Sequence, residues 1–547
     1  MTRPNVVCFV LDQLRYDHLG YAGNSVVETP NIDALAERGV ALSRAYVANP
    51  LCMPARASLF TGLMPRDHGV RTNGIPLDPS LPTLPGALRE AGYRTHAAGK
   101  LHLHTYDLPN GAGVVEVADG QADDGDGVDG GSAATGAAGG QSAVADAVAP
   151  EEFPEARPPW NENRHRALPE PYYGFETADF TGGHVSWIFG EYRQWLEREH
   201  PEAAARLDED HPDNEPRPAP QTFEWSLPEE LHYNRWIADR SREFVESATG
   251  MDEPFFLLSS FPDPHHPFAA PEPWGSMYDP DDVALPTRRE GELDDLPPFY
   301  REAYADTDTQ LSGFHGTSDL SDDQLREQIA VTYGMISFVD REIGRVLAAL
   351  DEAGLREETL VVFMSDHGDM MGDHWMLRKG PFHFEGLLRV PMLWSFPGTL
   401  PAGERRDGPV SAVDFAPTVL DFCDIPVPEG RVPPEREAMR EPPAWAGRSL
   451  RPQLSGETDA VRDGVVVEND EDYLGLRVRT YVTDRYKLTL YPGEPYGELF
   501  DLRKDPDELR NRWDDEAYAD VRRRLSVEFL ERYVLHEQGL PRRLCHA

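Results

Sequence analysis

The sequence predicts an α/β fold: a doubly wound, mixed but mostly parallel sheet sandwiched by helices, with a smaller C-terminal α+β domain. Three observations predict it. Continuous apolar runs such as residues 5–11 are typical of strands buried on both faces of a parallel sheet. These runs alternate with helix-like segments, as in βαβ units. After residue 458, short strand-like segments follow one another before a final helix-like segment.

The apolar runs place the strands of the large sheet at residues 5–11, 95–98, 254–259, 359–364 and 391–396. Helices are expected between them, over residues 32–38, 84–91, 231–247, 323–353 and 413–422. Pro30 opens the first helix and Gly39 ends it, as these residue types commonly do. The longest helix carries apolar side chains at three-to-four spacing, which predicts one buried face.

Two segments interrupt this alternation. Residues 110–150 are rich in Gly, Ala and Asp, and we predict that they form a disordered surface insertion. Residues 426–443, rich in Pro, Glu and Arg, are predicted to be a linker. We therefore expect a large domain over residues 1–458 and a smaller one over residues 459–547. The smaller domain is predicted to hold antiparallel strands at 463–468, 475–480 and 486–491 and a helix at 517–535.

The chain is strongly acidic, since 52 basic residues face 96 acidic ones and the net charge is −44. This balance disfavours nucleic acids and anionic membranes as partners. Lysine is scarce, and occurs only as Lys100, Lys379, Lys487 and Lys504. Such a composition is typical of halophilic proteins, whereas a high-GC coding bias would explain the arginines but not the acid excess. Each lysine that remains is therefore more informative than usual.

The cysteines are Cys8, Cys52, Cys423 and Cys545, and their spacing suggests neither a metal site nor a disulfide framework. Cys8 and Cys423 lie in apolar surroundings and are predicted to be core residues. The N-terminus leads directly into the first strand, so we expect no signal peptide and no membrane anchor. No apolar stretch is long enough to span a bilayer. These features predict a cytoplasmic protein.

Polar residues follow several predicted strands directly, namely Asp12, Lys100, His265 and Asp366. In open α/β sheets, ligands bind beyond the carboxyl ends of the strands. The shared placement of these residues therefore predicts one common site.

Two of these strand ends offer metal ligands. Asp12-Gln13 and Asp366-His367 supply carboxylate, amide and imidazole donors. Ligation dominated by oxygen suits a hard divalent ion such as Ca²⁺, Mg²⁺ or Mn²⁺ more than zinc. Each pair alone could be an ordinary strand-end turn, so the prediction rests on both pairs occurring together with the segment around Cys52.

The segment 52–62 combines Cys52, Pro54 and Arg56. Proline suits a first helical turn, so a helix should begin near Pro54 with Cys52 at its mouth. Backbone N–H groups and the helix dipole there favour an anion, and Arg56 adds a planar cation suited to a tetrahedral oxyanion. A thiolate is a poor ligand for a hard metal, so thiol chemistry is not expected at Cys52.

This segment resembles the signature of the type I sulfatases of the alkaline phosphatase superfamily, in which the cysteine is oxidised to formylglycine. Further stretches that resemble the family are residues 11–20, 29–33, 99–102, 264–267, 365–368, 379–391, 498–502 and 505–506. The resemblance implies one divalent metal, Ca²⁺ being favoured over Mg²⁺ or Mn²⁺, bound by Asp12, Gln13, Cys52, Asp366 and His367. It implies that the sulfate is surrounded by Arg56, Lys100, His102, His265 and Lys379.

For the reaction, the resemblance implies that a formylglycine hydrate oxygen attacks sulfur while His265, with Lys379, protonates the leaving alcohol. His102 would then accept the proton of the second hydroxyl as the aldehyde re-forms and sulfate departs. Lys100, Lys379 and Arg56 would supply preorganised positive charge. The implied partners are a small sulfated substrate and, during maturation, a formylglycine-generating enzyme.

Some residues depart from the commoner pattern of the family. Gln13 and His367 stand where many members have aspartate and asparagine, and Ala55 replaces a serine. The Asp-Gln and Asp-His pairs also occur in phosphonate monoester hydrolases and in members that resemble choline sulfatases. Three functions follow: a sulfuric ester hydrolase first, a formylglycine-dependent phosphonate monoester hydrolase or phosphodiesterase second, and a non-catalytic binding homologue third. The third predicts the loss of a ligand or nucleophile position, and none is lost.

Other assignments stay open at this stage. His102 and His265 could each be hydrogen-bonded turn histidines, His266 could exchange roles with His265, and Asn73 could be a turn residue or could line the site. The leaving alcohol, from a sugar, aryl or small alkyl sulfate, would be selected by the loops at residues 165–185, 206–225 and 274–315. Assembly into a homo-oligomer is left open.

Overall fold

The computed structural model describes residues 3–108, 152–305, 315–428, 446–471 and 474–535. The insertion predicted at residues 110–150 lies outside the described residues, as does most of the predicted linker, residues 429–443. Within the described residues, no helix combines the length and the apolar character needed to cross a membrane.

The strands of the described residues are β1 (Asn5–Leu11), β2 (Val40–Leu42), β3 (Ala45–Tyr46), β4 (Arg94–Gly99), β5 (Thr177–Gly182), β6 (Phe189–Gly190), β7 (Glu215–Pro216), β8 (Phe223–Glu224), β9 (Phe255–Phe261), β10 (His315–Gly316), β11 (Thr359–Ser365), β12 (Met376–Leu377), β13 (Arg389–Val390), β14 (Met392–Ser395), β15 (Glu404–Arg406), β16 (Val410–Ser411), β17 (Gly464–Glu471), β18 (Leu476–Thr483), β19 (Tyr486–Leu490) and β20 (Gly497–Asp501).

The α-helices are α1 (Pro30–Glu37), α2 (Cys52–Thr61), α3 (Pro65–His68), α4 (Leu84–Glu90), α5 (Arg157–Asn161), α6 (Glu191–Glu199), α7 (Pro201–Ala204), α8 (Tyr233–Ser247), α9 (Phe299–Ala305), α10 (Asp322–Glu352), α11 (Glu385–Leu388), α12 (Phe415–Phe422), α13 (Arg451–Ser455) and α14 (Ala519–Leu535).

A nine-stranded sheet lies at the centre, with the strand order β15-β2-β14-β11-β1-β9-β4-β5-β6. Its middle strands, from β11 to β5, run parallel to one another. The flanking strands β14 and β6 run antiparallel to their neighbours. The predicted mixed but mostly parallel sheet is therefore confirmed.

Helices cover both faces of this sheet, as predicted. On β1, which is buried along its whole length, alternate side chains point to opposite faces. Cys8 packs into one apolar cluster with residues of α2 and α12. Phe9 packs into a second cluster with residues of α8 and α10. The sheet thus separates two buried cores, which leaves its strand ends as the place where polar side chains can meet.

Helix α2 begins at Cys52, two residues before the predicted start near Pro54. The reason lies in the side chains that hold its first turn. Asn73 Oδ1 accepts the Met53 N–H at 3.0 Å, and Asn49 Oδ1 accepts the Leu51 N–H at 2.8 Å. Asn73 therefore caps the helix that carries Cys52, in agreement with the reading of Asn73 as a turn residue.

The C-terminal strands β17 to β20 form a separate antiparallel sheet. Helix α14 packs on one face through Leu525 and Phe529. The other face, which includes Val467 and Val478, joins the apolar cluster of the large domain. The smaller α+β domain is confirmed, with β20 as a fourth strand that was not predicted; the boundary at residue 458 stays a prediction.

Candidate active site

The predicted site residues meet at the carboxyl ends of the parallel strands. Asp12 follows β1, Lys100 follows β4 and Asp366 follows β11, while His265 lies four residues beyond β9. Backbone bonds hold these ends together: the Asp12 N–H donates to Phe261 O and the Asp366 N–H to Leu11 O, both at 3.1 Å. The residues that the strand-end pattern assigns to one common site therefore lie at one edge of the sheet.

Glycine is needed at the end of β4. Gly99 has φ +105°, and a Cβ there would lie 1.9 Å from the carbonyl oxygen of Ser260 on β9. The backbone can thus turn tightly while the Lys100 N–H still donates to Ser260 O at 3.0 Å. This turn buries Lys100 completely in the site.

Asp12, Cys52, Asp366 and His367 form a compact donor cluster, with one ligand atom from each lying within 4.8 Å of the others. His367 donates through Nδ1 to Gly368 O at 2.8 Å. Its Nε2 therefore faces the cluster, 3.1 Å from Cys52 Sγ and 3.4 Å from Asp12 Oδ1. The structure brings four of the five predicted metal ligands together.

Gln13, the fifth predicted ligand, is buried beside the cluster. Its Nε2 donates to Asp369 Oδ2 and lies 3.1 Å from His266 Nδ1. Its Oε1 is buried and has no hydrogen-bond partner among the described residues. Since a buried acceptor without a partner is costly, this oxygen has the character of an unused ligand atom.

Arg56 links the carboxylates to the neighbouring strand ends. Its Nε donates to Asp366 Oδ2 at 2.8 Å, and its Nη1 donates to Lys100 O and Ser260 Oγ at 2.8 and 2.9 Å. Nη2 lies 3.9 Å from Asp12 Oδ2 and has no hydrogen-bond partner in the described part of the chain. Most of the guanidinium therefore holds the site together, and one N–H group remains for a ligand.

Lys379 is the cation nearest the candidate nucleophile. Its Nζ lies 2.9 Å from Cys52 Sγ, 3.0 Å from His265 Nε2 and 3.2 Å from His367 Nε2. Lys100 contacts the other side of the cluster through an ion pair with Asp12 Oδ2. The two lysines thus approach residue 52 from different directions.

These cations set the protonation of the site. Burial and Asp12 raise the pKa of the Cys52 thiol, but Lys379 and Lys100 outweigh them and leave that pKa below its ordinary value. Burial lowers the pKa of Lys379, whereas Cys52 and Asp12 raise it above its ordinary value. The two lysines therefore favour the deprotonated form of a cysteine at position 52 more than bulk water does.

His265 and His266 contact different residues of the site. His265 donates through Nδ1 to His266 O at 2.6 Å, so its Nε2 is the atom that faces Lys379. His266 instead contacts Gln13, which supports the choice of His265 over His266. Burial first, and then His184 and Lys379, hold the pKa of His265 well below its ordinary value.

His102 lies in a left-handed turn with φ +55°. Its backbone N–H donates to Glu155 Oε2 at 2.7 Å, and its ring stacks on Tyr106 with centroids 3.9 Å apart. Its Nδ1 has no hydrogen-bond partner among the described residues. Burial, Lys100 and Arg56 lower the pKa of His102 well below its ordinary value, which favours the neutral imidazole.

Sequence reasoning missed three residues that hold this site: Glu155, His184 and Asp369. His184 lies 2.6 Å from Lys100 and stacks on His265. It follows β5, so the rule that found the other residues would have found it too. Residues 177–182 were not recognised as a strand because Phe180 is their only strongly apolar side chain.

Comparison with known proteins identifies the family of the chain. The family model "Sulfatase" matches residues 4–130 and 172–425, and the model "N-sulphoglucosamine sulphohydrolase, C-terminal" matches residues 372–534. The sulfatase YidJ of Escherichia coli (strain K12) is 28% identical over 535 residues, covering 97% of this chain and 87% of the relative. An arylsulfatase of Clostridium perfringens is 28% identical over 544 residues, covering 98% and 94%.

Among solved structures, the phosphonate monoester hydrolase of Agrobacterium radiobacter superposes with a TM-score of 0.72 at 27% identity, covering 99% of this chain and 100% of that chain. The family model extends over more than half of the chain and over the strand ends described above. The chain therefore belongs to the sulfatase family of the alkaline phosphatase superfamily, as its sequence predicted, and is a sulfuric ester hydrolase.

Proposed function

We propose that the protein hydrolyses a sulfate monoester of a sugar, an aryl alcohol or a small alkyl alcohol, with residue 52 acting as formylglycine rather than as cysteine. The observation that carries the proposal is the convergence of Lys100, Lys379 and Arg56 on a buried side chain at position 52. A sulfate monoester carries negative charge spread over its oxygens, and preorganised cations in a dry site stabilise it well.

The donor set fits the divalent metal ion that the family generally uses. Asp12, Asp366, His367 and Gln13 would hold it together with residue 52, and the free Gln13 Oε1 is an oxygen that such an ion would satisfy. Oxygen-rich ligation favours Ca²⁺ over softer metals, with Mg²⁺ and Mn²⁺ as alternatives. When bound, the ion would supply positive charge beside residue 52 and the sulfate.

A formylglycine would suit the ligands around position 52 better than a thiol does. Cys52 is buried among ligands suited to a hard metal, which a thiolate does not match. Its oxidation would supply oxygen in place of sulfur at the first residue of α2. The modification requires a formylglycine-generating enzyme as a maturation partner, acting before Cys52 is buried by folding.

The cations divide the binding of substrate between them. Lys100 and the free Nη2 of Arg56 lie on the Asp12 side and would bind sulfate oxygens. Lys379 contacts both residue 52 and His265, so it would bind sulfate near the leaving oxygen. Each donor aimed at developing charge is expected to contribute about 10²- to 10³-fold to turnover.

Proton transfer is assigned to two separate histidine environments. The Lys379 ammonium donates to His265 Nε2, so this pair holds the proton that would pass to the leaving alcohol. His102, neutral and with a free Nδ1, would accept the proton that residue 52 loses as sulfate is released. The two roles are thus assigned to different histidines.

The second candidate function is phosphonate monoester or phosphodiester hydrolysis on the same scaffold. The 27% identity to a phosphonate monoester hydrolase over nearly the whole chain favours it, as do Gln13 and His367 in the donor set. Against it, Lys100 and His102 supply the lysine and histidine that the resemblance to sulfatases implies.

A substrate panel would order the two candidates. Protein matured with a formylglycine-generating enzyme is assayed on 4-nitrophenyl sulfate, bis(4-nitrophenyl) phosphate and 4-nitrophenyl phenylphosphonate, with Cys52→Ala as the inactive control. We expect the largest kcat/KM on the sulfate. A kcat/KM that is larger by a wide margin on the phosphate diester or the phosphonate would overturn the first proposal in favour of the second.

The state of residue 52 is read directly by mass spectrometry of the tryptic peptide that contains it. We expect a mass shift corresponding to formylglycine in matured, active protein and plain cysteine in protein from a host without the modifying enzyme. Full activity in protein that carries only cysteine would refute the proposed nucleophile. A panel of sulfated sugars and choline sulfate would then identify the leaving alcohol.

A further inference from the structure

The imidazole of His184 lies between the two lysines of the site. Its Nε2 is 2.6 Å from Lys100 Nζ and 3.4 Å from Asp12 Oδ2. Its ring stacks on His265 in parallel, with centroids 3.5 Å apart and 5° between the planes. Only 12% of its side chain is exposed. His184 therefore contacts Lys100, which pairs with Asp12. It also contacts His265, which faces Lys379.

The hydrogen bonds fix the state of both rings. An ammonium group has only donors, so His184 Nε2 must accept from Lys100. A carbonyl oxygen only accepts, so His265 donates through Nδ1 to His266 O and accepts at Nε2 from Lys379. Two neutral rings therefore lie face to face, and each accepts a hydrogen bond from one lysine.

The backbone around His184 is strained, and its surroundings hold it in place. Val185 has φ +45°, which is unusual for a β-branched residue. Gly183 has φ +77°, and a Cβ there would lie 2.2 Å from Trp187 O. The Trp187 N–H closes the turn by donating to His184 O at 2.8 Å. Strain of this kind persists where the fold determines a side-chain position, commonly at functional sites.

We infer that His184 is a positioning residue that holds Lys100 and His265 in register, so that sulfate binding and leaving-group protonation act on the same substrate. The inference rests on the proposed function of the site. Its acceptor atom keeps the Lys100 ammonium from turning wholly onto Asp12. Its ring face keeps His265 pointing its Nε2 at Lys379. The two contacts are chemically separate, so they can be removed one at a time.

Three variants separate the contacts. His184→Gln keeps an acceptor for Lys100 but offers no aromatic face, whereas His184→Phe keeps the face but has no acceptor. His184→Ala removes both. The matched control is His96→Phe, because His96 is also buried, stacks on Phe244 at 4.6 Å and lies on β4 upstream of Lys100. All proteins are matured with the formylglycine-generating enzyme, and formylglycine is confirmed by mass.

Two readouts distinguish positioning from packing. The inhibition constant of inorganic sulfate reports Lys100, and the dependence of kcat/KM on the leaving-group pKa of a series of aryl sulfates reports His265. We expect His184→Ala to lower kcat/KM by about 10- to 100-fold, as is usual for partners of site residues. His184→Gln should keep sulfate inhibition but steepen the leaving-group dependence, and His184→Phe should do the reverse.

A cycle with Lys100→Ala completes the test. If His184 acts on sulfate through Lys100, adding His184→Ala to Lys100→Ala should not weaken sulfate inhibition further. Equal changes of both readouts in the Gln and Phe variants, or a His184→Ala kcat/KM equal to that of His96→Phe, would overturn the inference while leaving the proposed function intact. Failure of the wild-type protein to hydrolyse any sulfate ester would instead overturn the proposed function.

Discussion

Two lysines of this lysine-poor chain, the half-buried Lys379 and the buried Lys487, occupy opposite kinds of surroundings. Lys379, in the candidate active site, has Cys52, His265 and His367 as its nearest partners. Lys487, on β19 of the C-terminal sheet, is fully buried and forms an ion pair with Glu508. Burial alone therefore does not mark a functional lysine.

The surroundings of Lys487 join the two domains. A second carboxylate, Glu385 at the start of α11, lies 3.6 Å from Lys487 Nζ. The Glu385 N–H donates to Glu508 Oε2 at 2.8 Å, and the Tyr46 hydroxyl donates to Glu385 Oε2 at 3.2 Å. Lys487 thus has two carboxylates around it.

The two lysines differ in how their positive charge is balanced. Around Lys487 the charge is balanced by protein carboxylates, so removing the lysine strands negative charge in the interior. Lys379 faces two imidazoles and residue 52, so its charge is available to an anion that enters the site. We expect stability to depend on the first lysine and turnover on the second.

The largest effect is expected for Lys487→Met. Loss of one partner of a buried ion pair typically costs about 3–5 kcal/mol, because the remaining charge is left uncompensated. Burial raises the pKa of Glu508 to about 8 even beside Lys487, so the loss should grow as the pH rises through that value and the carboxyl group ionises. Chemical denaturation should show the loss of unfolding free energy, while kcat/KM of the folded fraction stays within about threefold.

The matched control for Lys487→Met is the double variant with Glu508→Gln. Removing the stranded carboxylate should restore part of the lost stability, since an uncharged pair can be buried with little penalty. A double variant no more stable than Lys487→Met would show that the ion pair is not the cause. A large loss of turnover in the folded single variant would break the comparison between the two lysines.

The next largest effect is expected for Lys379→Ala. Removing a donor aimed at developing charge should lower kcat by about 10²- to 10³-fold. The melting temperature should change by no more than a few degrees, because no carboxylate depends on Lys379 for its only cation. Lys379→Arg serves as a charge-preserving control and should remain well below wild type, since the guanidinium differs in shape. Near-wild-type turnover of Lys379→Ala would remove Lys379 from the site.

The sequence predicted the middle of the fold better than its edge. Strands β1 and β11 are continuous apolar runs because they are buried on both faces, and this buried position also made Asp12 and Asp366 recognisable as strand-end residues. Strand β5 has an exposed beginning and a mixed composition, so neither it nor His184 was predicted. The hydrogen bond from Arg56 to Asp366 was also not predicted, because it joins segments that are distant in the sequence.

A smaller effect is expected for Asp369→Asn. Asp369 Oδ1 accepts the N–H groups of Met371 and Arg378 at 2.7 and 2.8 Å, and Oδ2 accepts from Gln13 Nε2. An asparagine keeps the first two bonds but sets its own N–H group against that of Gln13. We expect kcat/KM to fall by about 10- to 100-fold, the usual cost of disturbing a partner of a ligand side chain.

Asp369 is also expected to affect Lys379, because it accepts hydrogen bonds from the loop that precedes this lysine. Met371, His374, Trp375 and Arg378 all have positive φ, so the segment before Lys379 is strained. Asp369→Ala would release that strain and remove all three bonds, and should lower turnover more than Asp369→Asn. Equal kcat/KM in the Asn variant and the wild type would show that Asp369 acts on the loop alone and not through Gln13.

The smallest effect is expected for Lys504→Gln. Lys504 is 67% exposed and lies 3.9 Å from Asp501, a contact that solvent largely screens. Its removal should change the unfolding free energy by less than about 0.5 kcal/mol and leave kcat/KM within twofold of wild type. This variant tests the premise that the surroundings of a lysine, and not its rarity in the chain, determine its effect. A loss comparable with that of Lys379→Ala or Lys487→Met would mean that scarcity itself selects for function, since Lys504 has no place in the site and its neighbour Asp501 is already paired with Arg485 at 2.8 Å.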